Sequence, residues 1–377
     1  MAEKAAVSGW KDKILFTPGP LTTSRTVKQA LLRDLGSRDH EFIGIIRDIR
    51  EKLVELGEAS TGEYSAVLMQ GSGTFGLEAV VGSTTPPDGK FLVIINGAYG
   101  KRIAVMAEIL GIDTQRLEFP ENQKPDPANI EAVLKADPSI TNVSLTHCET
   151  TTGIMNPVKE IGAVVKAAGA KFFVDAMSSF GAVPINLPEC NIDYLVSSAN
   201  KCIEGVPGFS FIIAKISSLQ ETKGYARSLS LDILAQHEGF EKNGQFRFTP
   251  PTHALIAFRQ ALAELEAEGG VAGREARYRA NYDALVAGMR EMGFKEYLPP
   301  EDQGVIITSF LFPNDPNFSF DAFYDALNKR DYVIYPGKVS DAGCFRIGNI
   351  GHIFEPDVRA LLAAIREVIA EMDVTLT

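Results

Sequence analysis

From Tyr64 onward the chain repeats one unit: a short run that is apolar almost throughout, then an amphipathic stretch of helical period. "YSAVLMQG" is followed by "SGTFGLEAVVG", and "KFLVIING" by "AYGKRIAVMAEILG". "NVSLTHCET" precedes "VKEIGAVVKAAGA", and "KFFVDAM", "YLVSSAN" and "FSFIIAK" then come in succession. A strand without a polar face is buried on both sides, and helices are what cover both faces of a parallel sheet. The pattern therefore predicts an α/β fold with a mainly parallel central sheet between helices.

After about residue 250 the texture changes. "PPTHALIAFRQALAELEAEGG" and "REARYRANYDALVAGMREMG" read as two long helices interrupted at Gly269-Gly270. "GVIITSFLF", "FDAFYDALNKRD", "YVIYPG", "CFRIGNI" and "PDVRALLAAIREVIAEM" then mix short strands with helices, as a smaller α+β domain does. At 377 residues the chain is long enough for two cores. The expected division is a large domain over residues 1–255, with segment 1–25 lying against it, and a small C-terminal domain over 256–377.

Composition narrows the partners. The net charge of −11 argues against nucleic acid and anionic membranes. No apolar run approaches the roughly 20 residues that span a bilayer. "MAEKAAVSGWKDK" has no apolar h-region, so a secretory signal is not expected. The four cysteines lack CxxC spacing and the five histidines lack an HExxH pattern, which predicts neither a disulfide framework nor a metal site. A reducing cytoplasm is the expected compartment.

In a parallel α/β sheet, ligands gather at the C-terminal ends of the strands. Five such ends carry "QGSGTFG", "NGAYG", "HCETTTG", "VDAMSSFG" and "SSANKCIEG". The first opens a helix with Ser72, Gly73 and Thr74, small residues beside free N–H groups, which suits a phosphate. It lacks the lysine of a nucleotide-triphosphate loop. Asp175 ends an apolar strand, where a carboxylate needs a cation or strong donor. Lys201 follows 26 residues later, at another strand end. Tyr99 offers a ring to cover a flat ligand. Singly, each has a plainer reading: a solvated loop lysine, a helix cap, a salt-bridged carboxylate, a surface tyrosine. Together they match one cofactor. Pyridoxal 5′-phosphate has a phosphate, a ring nitrogen that wants a carboxylate, a planar ring, and an aldehyde that condenses with lysine.

The chain resembles fold-type I pyridoxal-phosphate enzymes of class V, and within them the 2-aminoethylphosphonate–pyruvate transaminases. The resemblance runs from "LFTPGPLTTSRTVKQALL" to "YPGKVSDAGCFRIGNIG". Its most specific stretches are "ETTTGIMNP", "VDAMSSFGAVP", "SSANKCIEGVPGF", "RSLSLDI" and "FRFTPPTHALIAF". It implies that Lys201 carries the cofactor and shuttles the proton at the substrate carbon. It also implies that Asp175 keeps the ring nitrogen protonated, that Ser72, Gly73 and Thr74 hold the phosphate, and that Thr152 lies beside the ring. Thr249 would reach the phosphate in the neighbouring subunit, making a homodimer with shared sites the active unit. Arg346 would clamp the substrate anion, and a guanidinium fork suits both a phosphonate and a carboxylate. Arg227, in "YARSLSLDI", is the second candidate for that clamp. The implied reaction moves the amino group of 2-aminoethylphosphonate to pyruvate.

Three rivals stand beside this reading. One is a related aminotransferase acting on alanine, serine or phosphoserine with a 2-oxo acid. Another is a cysteine desulfurase, which needs histidine where Asn200 stands and a loop nucleophile; Cys344 lies in an apolar strand instead. The third, a non-catalytic scaffold of the same fold, is disfavoured because both Lys201 and Asp175 are present.

Overall fold

The computed structural model describes residues 12–337 and 342–376. Its centre is a seven-stranded sheet. In chain order the strands are β1 (Tyr64–Gln70), β2 (Lys90–Ile95), β3 (Asp113–Glu118), β4 (Ile140–Thr146), β5 (Lys171–Asp175), β6 (Tyr194–Ser198) and β7 (Phe209–Lys215). Across the sheet they lie β1-β7-β6-β5-β4-β2-β3. Neighbours from β6 to β3 are parallel, and only β7 runs against both of its partners. The reason is chain length. Residues 199–208 are too few for the crossover that a parallel return requires, so the chain turns straight back as a hairpin. Lys201 sits on that hairpin.

The apolar runs became strands of the central sheet as expected, but β3 was not anticipated. Its residues, "DTQRLE", alternate between half-buried and exposed. It is an edge strand with one partner, β2, and so needs no continuous apolar face.

Helices cover both faces. His40–Leu56 is typical: Asp39 caps it by accepting from the Glu41 N–H at 2.7 Å, and Phe42, Ile45, Ile46, Ile49 and Leu53 form one buried stripe. Phe258 packs edge-on against Phe209 with ring centroids 5.0 Å apart. Each large side chain so buried contributes about 1.5–3 kcal/mol.

A second core surrounds a three-stranded antiparallel sheet of β8 (Ile307–Leu311), β9 (Tyr335–Pro336) and β10 (Cys344–Gly348), in the order β8-β10-β9. Phe345 is its hub, with Phe323, Phe294 and Phe310 at centroid distances of 5.4, 5.7 and 5.9 Å.

The packing moves the expected division between domains. Leu255, Phe258, Leu262 and Leu265 all belong to the first core, so the helix Thr252–Ala267 stays with the large domain. A cut at 256 would split it. The change of core falls within the helix Gly270–Met292, whose Leu285 and Met289 enter the second core. The N-terminal segment also differs from expectation. Ile14–Leu15 pairs in parallel with Tyr332–Val333, and Phe16 is buried in the second core, so this part rests on the small domain. Among the described residues no helix is long and apolar enough to cross a membrane.

Candidate active site

The C-terminal ends of β1, β2, β4, β5 and β6 lie along one edge of the central sheet. Lys201 stands at that edge on a rigid turn, in which the Glu204 N–H donates to the Lys201 carbonyl at 2.7 Å and the Gly205 N–H to Ala199 at 2.9 Å. The Lys201 amine donates to the Pro18 carbonyl at 2.6 Å. Burial pulls it down to about 8, while Asp175 pulls it the other way. A neutral amine is thus accessible near physiological pH, as a nucleophile needs. The segment over the lysine depends on Gly19. Its φ is +117°, and a Cβ there would stand 2.8 Å from the lysine Nζ.

Asp175 is the last residue of β5 and is 1 % exposed. Burial pushes its carboxyl up to about 7, and the neighbouring Glu149 adds to the rise. One oxygen accepts from the Met177 N–H at 2.9 Å. No lysine or arginine forms a salt bridge with it among the described residues. A desolvated carboxylate without a cation is what a protonated ring nitrogen would complete.

The small-residue turn after β1, the candidate anion cup, leads into the helix Gly73–Thr84. Gly71 has a φ of +103° and donates to the Gly208 carbonyl at 3.0 Å, which ties the cup to the far end of the lysine hairpin. Ser72 is the N-cap of the helix Gly73–Thr84, but no side chain caps its N–H groups. Those donors and the helix dipole favour an anion. A Cβ on Gly73 would lie 2.3 Å from the Met177 sulfur, so the cup packs directly on the turn after Asp175. Thr74 follows in the first turn.

The remaining residues are placed less uniformly. Tyr99 is half-buried in the first turn of the helix Ala98–Ile109, with the Arg102 guanidinium 5.0 Å from its ring centroid. Thr152 is fully buried in the turn after β4. Its hydroxyl donates to the Glu121 carbonyl and accepts from the Ile154 N–H, both at 3.3 Å. Thr249 is exposed, and its carbonyl accepts from the Gln70 amide at 3.3 Å, next to the cup. Arg346 lies on β10 and is 2 % exposed. Its Nε and Nη2 donate to Pro336 at 3.1 and 2.8 Å, and Nη1 reaches across to the Thr150 carbonyl at 2.6 Å. No carboxylate pairs with it among the described residues. Arg227, the second candidate for the clamp, is also held by backbone carbonyls. It donates to the carbonyls of Gly82, Thr85 and Pro86, closing the opposite end of the helix whose N-terminus forms the cup.

Several contributors were not foreseen. Pro18 and Gly19, in "TPGP", cover the lysine. Glu149 is completely buried beside Asp175. Glu204 accepts from Arg277 at 2.7 Å and from the Tyr278 hydroxyl at 2.5 Å, just behind the lysine turn. The signals were a glycine between two prolines and, for Glu204, a carboxylate in the otherwise small and apolar stretch "CIEGVPG".

Residues 23–330 match the profile of the family Aminotransferase class-V. The 2-aminoethylphosphonate–pyruvate transaminase of Syntrophobacter fumaroxidans is 53% identical over 355 residues, covering 94% of this chain and 95% of that one. The transaminase of the same name from Salmonella typhimurium is 51% identical over 358 residues, with 94% and 97% covered. Among solved structures, pyridoxamine–pyruvate aminotransferase from Mesorhizobium loti superposes with a TM-score of 0.88 at 27% identity, over 97% of this chain and 94% of that one. With its lysine, aspartate and anion cup gathered at one sheet edge, the chain belongs to the class V aminotransferases, enzymes that work with pyridoxal 5′-phosphate.

Proposed function

We propose that this chain transfers the amino group of 2-aminoethylphosphonate to pyruvate, giving phosphonoacetaldehyde and alanine. The two named relatives above support the substrate pair. Within the molecule, the observation that carries the reading is Arg346: a buried guanidinium 5.2 Å from the Tyr335 ring centroid that donates to backbone carbonyls and has no carboxylate partner among the described residues, reaching from the small domain to the Thr150 carbonyl. Such a cation is stabilised by a substrate anion, and its planar fork accepts a phosphonate or a carboxylate.

The residues fit the cofactor. The uncapped turn Ser72-Gly73-Thr74 would hold its phosphate, Asp175 its ring nitrogen, Tyr99 a ring face, and Lys201 its aldehyde carbon. When bound, pyridoxal phosphate supplies an electron sink for the bond broken at the substrate carbon. With the group bound, the Lys201 amine would be the base that takes the proton from the substrate carbon and delivers it to the former aldehyde carbon of the cofactor. The Pro18 carbonyl offers that amine a resting partner. Asp175, held by the Met177 N–H and by burial, would hold the proton on the ring nitrogen. The turn 149–153 follows β4, and the Thr152 hydroxyl ties it down by donating to the Glu121 carbonyl and accepting from the Ile154 N–H.

The active unit in this reading is a homodimer. Phe75, Leu229 and Phe248 are 51%, 75% and 43% exposed. Phe75 lies in the helix that forms the cup, while Arg247 links the other two by donating to the Leu229 carbonyl at 3.1 Å with its guanidinium 5.1 Å from the Phe248 ring. Large apolar side chains beside a polar site mark a surface that another chain covers.

The test is single-turnover conversion of the loaded enzyme by 2-aminoethylphosphonate, alanine, serine and phosphoserine, followed by cofactor absorbance. The phosphonate should react fastest, and Arg346→Lys should slow both the phosphonate and the pyruvate half-reactions by about tenfold or more. Faster reaction with serine or phosphoserine would overturn the substrate assignment. An Arg346→Lys enzyme slowed with pyruvate alone would place the phosphonate clamp elsewhere.

A further inference from the structure

Glu149 is a carboxylate with no access to solvent and no salt-bridge partner among the described residues. Such a group persists only where donors surround it. It accepts from the Tyr99 N–H at 3.2 Å, the Gly100 N–H at 3.4 Å, the Thr151 N–H at 3.1 Å and the Thr151 hydroxyl at 2.5 Å. The same hydroxyl accepts from the Ala98 N–H at 3.0 Å. Three successive N–H groups that open the helix Ala98–Ile109 are thereby satisfied by two residues of the turn after β4. No side chain of the helix's own N-cap, Gly97, is there to do it. Gly97 has a second reason to lack a side chain: a Cβ would lie 2.2 Å from the Glu149 carboxyl carbon.

We infer that Glu149 is a positioning residue, whose buried carboxylate locks the first turn of this helix and so sets the Tyr99 ring against the cofactor site. The inference rests on the proposal that Tyr99 covers the cofactor ring. The geometry is one of placement, since Tyr99 and Gly100 present their backbone to Glu149 while the tyrosine side chain projects from the same turn. A carboxylate at a helix N-terminus is also favoured by the dipole. Two buried carboxylates, Glu149 and Asp175, then share one region with separate tasks: one orders the wall, the other faces the ring nitrogen.

The experiment compares four loaded enzymes: wild type, Glu149→Gln, Tyr99→Ala and the double variant. Cofactor release into excess trapping apoenzyme gives an off-rate, and visible circular dichroism reports the asymmetry of the bound ring. Glu149→Gln should raise the off-rate about tenfold and reduce the dichroic band, because the amide presents a donor where N–H groups already point. Tyr99→Ala should do at least as much, and the double variant should match Tyr99→Ala within about twofold. Additive off-rates, or an unchanged off-rate in Glu149→Gln, overturn the inference while leaving Tyr99 at the ring. An unchanged off-rate in Tyr99→Ala removes Tyr99 from the ring, and the inference with it. Should Glu149→Gln fail to fold, Thr151→Val removes the acceptor of the Ala98 N–H and one donor to Glu149. It should raise the off-rate severalfold, again only when Tyr99 is present, and additivity there counts equally against the inference.

Discussion

At the scale of the residue, Asp175 works against the fold that carries it. Its carboxyl is pushed up to about 7 by burial, whereas in the unfolded chain it ionises near 3.8. Between those values the unfolded state releases a proton that the folded state keeps, so ionisation favours unfolding. The stability associated with the protonated form is present below about pH 4 and is lost as pH rises toward 7. Asp175→Asn should remove that loss. Without cofactor, the variant should unfold at higher denaturant than wild type, with a gap that widens from pH 5 to 7 and is flat above. The upper bound is on the order of 4 kcal/mol, from roughly three pKa units at about 1.4 kcal/mol each. With cofactor the order reverses, because the ring nitrogen loses its anionic partner, and turnover should fall about a hundredfold or more. A stability gap independent of pH would refute the account. Asp175 and Lys201 were legible in the sequence because a charged residue ending an apolar run is conspicuous. Glu149 was not, since "HCETTTG" reads as an ordinary polar loop until the neighbouring helix is seen to lean on it.

Elements, rather than residues, set the lysine's position. The β6–β7 hairpin is held from behind by the helix Gly270–Met292. Arg274 donates to the Cys202 carbonyl, and Arg277 and Tyr278 donate to the Glu204 carboxylate. Glu204 has a φ of +64°, a left-handed conformation that glycine adopts more readily. A glutamate is kept there because its carboxylate, 3 % exposed, faces two guanidinium groups. Removing one partner from such a buried set costs about 3–5 kcal/mol. Glu204→Gln should therefore destabilise by about 3 kcal/mol in urea unfolding and slow borohydride-detected loading of Lys201. A loss below about 0.5 kcal/mol would mean that the ion set does not hold the turn. Sequence periodicity announced both strands and the helix. It gave no sign of their contact, because Cys202 and Arg274 are far apart in the chain and meet only through the tertiary fold. The edge strand β3 escaped for the opposite reason: half its residues face water, so its apolar signal is weak.

For the whole molecule, the same helix face sets one half of the site against the other. Arg277 donates to the carbonyls of Gly351 and Ile353 at 2.6 and 3.2 Å, and the Gly351 N–H donates to Tyr278 at 3.1 Å. That loop follows β10, which carries Arg346, so one helix registers Lys201 against Arg346. The N-terminal segment does likewise, with Phe16 in the second core and the Pro18 carbonyl on Lys201. What a single chain leaves open is the rim of the phosphate cup, where Thr249 is exposed and its backbone is held by Gln70 of the same chain. Two assemblies follow from this placement. If Thr249 serves the cup of its own chain, lesions at Lys201 and Thr249 in separate chains leave every site with one defect. If it serves the partner's cup, a hybrid of Lys201→Ala and Thr249→Ala chains has one site with both lesions and one with neither. Mixing the two purified, inactive variants, with hybrid formation verified by differently tagged chains, separates the cases. In a statistical mixture half of the dimers are hybrids, so a shared site should restore about a quarter of wild-type activity per total site, since each hybrid has one intact site of two. Activity that stays at the level of the two parents would assign Thr249 to its own chain's cup and remove the shared site from the reading.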